Sequence, residues 1–192
     1  MTALVAIMSL HASLLDVGLP LWVARTDAPE AIVAVIFVIN CVLVALLSVA
    51  FARGSETVAG AARAAVRAAV LLAASCVVFV FTDGPGAVVA SALLIGACVI
   101  QAGGEMAQAA SGWGLAYGLA PEDAQGQYQG LSSTALAAAT TAGPALMAAV
   151  VSAGTLGWLA YGALFLVAGA ATPPVARWAA QRATPGAEAG RR

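Results

Sequence analysis

Gln101, Glu105 and Gln108 fall at i, i+4 and i+7 inside an otherwise apolar run, a spacing that stacks them along one face of a helix. A carboxylate between two amides can exchange a proton or hold a cation when water or a polar partner reaches it. Two readings of this stripe stay open: the lining of a water-filled cavity, or a hydrogen-bond ladder that only joins helices. Asp16 stands four residues before Pro20. Proline has no N–H to give the Asp16 carbonyl, so the helix should kink there, and Pro144 should kink a later one. A carboxylate beside freed backbone groups suits ion or proton handling in a discontinuous helix. The alternative is a structural pairing of Asp16 with a nearby histidine, asparagine or hydroxyl. Asn40 adds an amide in a separate apolar run. His11 lies five positions from Asp16, about 140° around the helix, and is read as structural.

The elements that carry these residues follow from composition. Of 192 residues, 62% are hydrophobic and 9% charged, against about 45–50% and about 25% in a soluble domain. Such a chain cannot cover a water-facing surface, and its runs reach the length of about 20 residues that a helix needs to cross a bilayer. Six spans are expected at about 4–23, 31–51, 64–81, 87–119, 131–153 and 156–175, with no alternating strands of a barrel. The first run lacks a basic flank and is expected to be a retained span. The fourth, rich in glycine after residue 102, should be tilted or broken. Residues 1–182 form one transmembrane domain, residues 121–130 a loop, and residues 183–192 a disordered tail.

Lysine is absent, and the arginines are unevenly placed. With the N-terminus cytoplasmic, Arg53, Arg63, Arg67, Arg177, Arg182, Arg191 and Arg192 lie inside and only Arg25 outside, which satisfies the positive-inside rule. Both termini are therefore expected in the cytoplasm, with the chain multi-pass in the plasma membrane. Trp22, Phe81 and Trp158 fall near outer ends, and Phe51, Tyr128 and Trp178 near inner ones. A net charge of −1 gives no nucleic-acid footprint. Cys41, Cys76 and Cys98 sit in different runs without metal-ligand or disulfide spacing. No metal or other cofactor is expected.

Enzyme chemistry finds little support. Ser111-Gly112 could suggest an intramembrane serine protease of the rhomboid kind, but that family places its histidine late in the chain, and here the one histidine is His11. A phosphate cradle or haem pair is also missing from the sequence.

Polar residues concentrate in the first, second, fourth and fifth runs and are scarce in the third and sixth, a three-plus-three pattern. Leu19-Pro20-Leu21-Trp22, Thr26, Pro29 and Ile39-Asn40 resemble the seventh and eighth helices of drug:proton antiporters of the major facilitator superfamily. Gly103-Gly104-Glu105 is similar to their tenth helix, Pro121, Gly126 and Gly130 to the following loop, and Gly143-Pro144 to the next helix. Two places differ: Gln125 stands where the family loop carries arginine, and the Asp-Arg-Gly-Arg style gate is reduced to Arg53-Gly54 with Arg63 and Arg67 further on. The resemblance implies an all-α integral membrane fold, six helices as a 3+3 inverted repeat forming the C-terminal half of the family fold, with the third and sixth at the lipid-facing periphery.

The function it implies is secondary active transport of a small amphipathic molecule, proton-coupled and outward. The cavity would be lined by Asp16, Asn40, Gln101, Glu105 and Gln108. Because such transporters contain two halves, the expected partners are the bilayer, substrate, protons, and a second six-helix half or second copy. The alternative is a non-transporting partner subunit or a remnant of a full transporter. Alkaline phosphatase, which needs an oxidising compartment, should be active when fused at Gly84 and inactive when fused at Gly54. The opposite pair of activities would invert the assigned orientation.

Overall fold

A computed structural model describes residues 2–119 and 125–183. Among them no strand occurs, and six helices are long and apolar enough to cross a bilayer, the architecture of a multi-pass membrane protein. The first span, Ala3–Val23, is broken into helices Thr2–Ser9 and Leu19–Val23 with a π-helical turn, Leu14–Gly18, between them. The other spans are Ile32–Ala52, Val58–Val80, Ala87–Leu119, Gln125–Ser152 and Thr155–Ala183.

Several boundaries differ from expectation, each for a local reason. The third span begins at Val58 rather than residue 64, because the Thr57 hydroxyl accepts from the Gly60 N–H at 3.0 Å and caps the helix. Gly54, at φ 80°, ends the preceding helix in a backbone conformation that other residues rarely adopt. Residues 125–130, expected as loop, are the opening turns of the fifth span. The fourth span is neither broken nor interrupted by its glycines. At 33 residues it is about 50 Å long, so it overshoots about 30 Å of hydrocarbon. Pro144 lies inside a continuous helix, as do Pro173 and Pro174. Glu122, Asp123 and the tail from residue 184 lie outside the described residues.

Packing gives the third span an extensive buried face within this chain. Half of its most apolar window is buried, against 11% for the second span. It lies between the fourth and sixth spans, while the second packs mainly on the fourth and the first on the fifth and sixth. Small residues explain this position. Ala61, Ala65, Ala68 and Ala69 present almost no bulk on the buried face, and glycines of the neighbours meet them: Gly114 against Ala61 and the Ser55 carbonyl, Gly169 against Ala69. In lipid, where apolar burial barely favours one helix contact over another, close backbone approach is what selects neighbours. The outward side of the third span, with Val66, Val70 and Val77 exposed, retains an apolar lipid-facing stripe.

The end of the bundle that carries the loops at residues 24–31, 81–86 and 153–154 is held by aromatic residues. Trp158 stacks on Phe79 at 4.4 Å and meets the edge of Trp22, whose indole N–H donates to the Thr82 hydroxyl at 2.7 Å. The Arg25 guanidinium lies 5.5 Å from the centre of the Trp22 ring and donates to the Val151 carbonyl in the last turn of the fifth span. Cations suit that position because the terminal carbonyls of a helix lack partners and carry partial negative charge.

A methyl group at Gly114 would collide with the Ser55 carbonyl, whereas one at Gly112 meets nothing. Gly114→Ala should therefore lower unfolding stability by about 1–3 kcal/mol through overpacking, and Gly112→Ala should be neutral or stabilising by up to about 1 kcal/mol. Thermal unfolding of the two variants in detergent checks the contrast.

Candidate functional site

The break in the first span positions the site. Ser13 and Leu14 donate to the carbonyls three residues back, on Leu10 and His11, so the chain tightens there. It then widens, with the Leu19 N–H reaching back to the Leu14 carbonyl across the π turn. Pro20 enforces the widening, since it supplies no N–H for the Asp16 carbonyl. The Tyr161 hydroxyl donates to the Leu10 carbonyl at 2.8 Å, tying the break to the sixth span. On the other side Ser13 rests on Gly143 and Met147 lies over Gly18, so the fifth span takes the shape of the break. Inserted turns of this type recur at functional positions.

Asp16 projects from the π turn and is exposed. Asn40 and Asp16 both lie near enough to Glu105 to act electrostatically on its carboxylate. Residues of the first, second and fourth spans thus converge. Asn40 Oδ1 itself is buried without a partner. Glu105 opens into a groove of about 540 Å³ between the second and fourth spans, which Ser48, Glu56 and Trp113 also line. Gln108 lines a neighbouring groove of about 290 Å³ among the first, fourth and fifth spans, with Ser9, Gln129 and Ser133. It donates to the Ser9 hydroxyl at 3.4 Å and lies near the buried His11 ring, whose Nδ1 has no partner. The two grooves adjoin along a ridge of Ala109 and Trp113.

The expected stripe on the fourth span therefore divides. Glu105 and Gln108 reach adjacent grooves, but Gln101 is fully buried with neither amide atom bonded, and it lines neither groove. Its face of the helix is covered by packing, which polar spacing alone does not reveal. Trp113 and Tyr117 were missed. They continue the i+4 register from Glu105 through Ala109, stack at 5.8 Å, and are exposed, Trp113 by 62%. Following the stripe by position rather than by polarity would have found them.

Both grooves hold carboxylates or amides and no basic side chain. Among the described residues no cluster of histidine, cysteine and acids could hold a metal ion. Glu105 and Glu56 beside the exposed Trp113 ring make the larger groove acidic and aromatic, a surface chemically able to attract a cation. Compared with protein-family models, curated proteins and solved structures, the chain matches none.

Cysteine scanning tests which positions face water. Cys41 is exposed and Cys76 and Cys98 are buried, so Cys41→Ser gives a quiet background. There, a membrane-impermeant maleimide should label Asp16→Cys and Ser133→Cys but leave Gln101→Cys unmodified. Labelling confined to Gln101→Cys would reverse the assignment of open and closed faces.

Proposed function

We propose that the chain is one six-helix half of a secondary transporter, similar to the major facilitator fold, which moves a small amphipathic molecule in exchange for protons. The observation that carries this reading is the nearness of Asp16, exposed on a broken span, and of Asn40 to Glu105, which itself lines an open groove. Ionisable groups inside a membrane domain are costly and are kept for ion or substrate pathways, and discontinuous helices are where transporters place them.

The helix contacts support a two-triplet organisation. The first span packs on the fifth, the second on the fourth, and the third on the sixth. Exchanging the two triplets maps the first pair onto the second and the third pair onto itself, while the extensive third–fourth packing has a lighter counterpart between the sixth and first. The open face supports a second half or second copy opposite it, since alternating access needs two bodies rocking around the site. In this reading the arginine-rich end faces the cytoplasm and the drive is proton exchange at Asp16 or Glu105.

Proteoliposomes carrying a pH-sensitive dye and imposed pH gradient test the proton role against a panel of amphipathic cations. A probe that drives proton flux through the wild-type chain should drive none above protein-free liposomes through Asp16→Asn or Glu105→Gln. Undiminished flux in both variants would sink the assignment. Crosslinking from Trp113→Cys in native membranes should capture a second copy or a second six-helix chain, and a strictly monomeric species would favour a non-transporting remnant.

A further inference from the structure

Apart from the acidic grooves, residues of the third and sixth spans near the arginine-rich end line a groove of about 660 Å³. Its floor is Ala62 and Ala176, both buried, and Val66 and Pro173 form its apolar walls. Arg63 and Arg67 reach it from one helix and Arg177 from the other, all three exposed, and among the described residues no acid lines it. Arg63 and Arg67 stand one turn apart on the same face. Arg67 is nine residues from the start of its span, about 14 Å along the axis, so its long side chain must extend back toward Arg63 and the helix start to bring the guanidinium to headgroup depth.

Cations at that depth are expensive to leave without a counter-charge. The groove supplies none, and its open side faces laterally into the bilayer, where the abundant anion is lipid phosphate. Guanidinium forks match phosphate oxygens in pairs, and basic pockets between membrane helices at the cytoplasmic face are lipid-headgroup sites. We propose that this groove binds an anionic phospholipid, with its phosphate held by Arg63, Arg67 and Arg177 and an acyl chain lying over Ala62 and Ala176 against Val66 and Pro173. The site is independent of the transport reading. Net anionic headgroups are preferred to zwitterionic ones because three cations face one phosphate, and a choline group would add a fourth.

The test is native mass spectrometry of the full chain in detergent, titrated with phosphatidylglycerol and with phosphatidylcholine. Each arginine should contribute about fivefold, so the wild-type chain should favour phosphatidylglycerol by up to roughly a hundredfold. The triple variant Arg63→Gln, Arg67→Gln, Arg177→Gln should lose that preference, whereas Arg53→Gln, at the same end but outside the groove, should keep it. Should the triple variant misfold, Arg67→Gln alone should weaken phosphatidylglycerol binding about fivefold while leaving phosphatidylcholine unchanged. Equal affinity of the wild-type chain for both lipids overturns the proposal. So does displacement of the lipid by inorganic phosphate alone, which would mark a free-anion site, or a lipid-independent crosslink between copies at Val66→Cys, which would mark a protein interface.

Discussion

A helix that crosses hydrocarbon has no water with which to pair its backbone, so each N–H and C=O must be matched inside the protein. The first span departs from that rule between Leu10 and Pro20, and much of the bundle is arranged around the departure. The chain tightens, then widens by a π turn, and the Leu10 carbonyl accepts from both Ser13 and Tyr161. Gly143 lets Ser13 come close, and Gly18 does the same for Met147. Two other helices therefore fix the shape of the break. A side effect is that Asp16 leaves the regular helical register and stands exposed on the side where Glu105 opens.

The remaining contacts follow from a second consequence of lipid solvent, that burying leucine or valine against another helix gains little over burying it in acyl chains. Alanine and glycine, which let backbones meet, decide the centre. The third span is central because its inner face is nearly all alanine. The second span shows the converse. It is the most apolar of the six and rich in large aliphatic residues, yet only Ile32 and Ile36 are buried. Asn40, its one amide, is thus the polar group that this span brings near Glu105 of the fourth.

How much of this was legible in the sequence depends on which physical signal encoded it. Span number and approximate limits could be read from run length, because lipid thickness fixes it. The break near Asp16 could be read from Pro20, because a missing donor is a property of one residue. The convergence of Asp16, Asn40 and Glu105 required knowing which helices touch, and that is set by small-residue faces whose signal is diluted in a chain this rich in alanine and glycine. The same dilution hid the central place of the third span and the burial of Gln101. Thr57 as a cap, which lengthens the third span by a turn and a half, was available from the sequence but was masked by the polar composition around it.

Charge divides the molecule more sharply than hydropathy does. The open grooves between the second, fourth and fifth spans contain acids and amides, and the groove between the third and sixth contains only arginines among its charged residues. An acidic face would repel anionic headgroups, so it is poorly suited to contact with lipid and well suited to a polar cavity closed by another protein body. A basic face at headgroup depth attracts those same lipids. The two faces can therefore be served by different surroundings without competing for them. In the proposed role as one half of a transporter, the arginine-lined side would be the one the bilayer holds while the acidic side opens and closes.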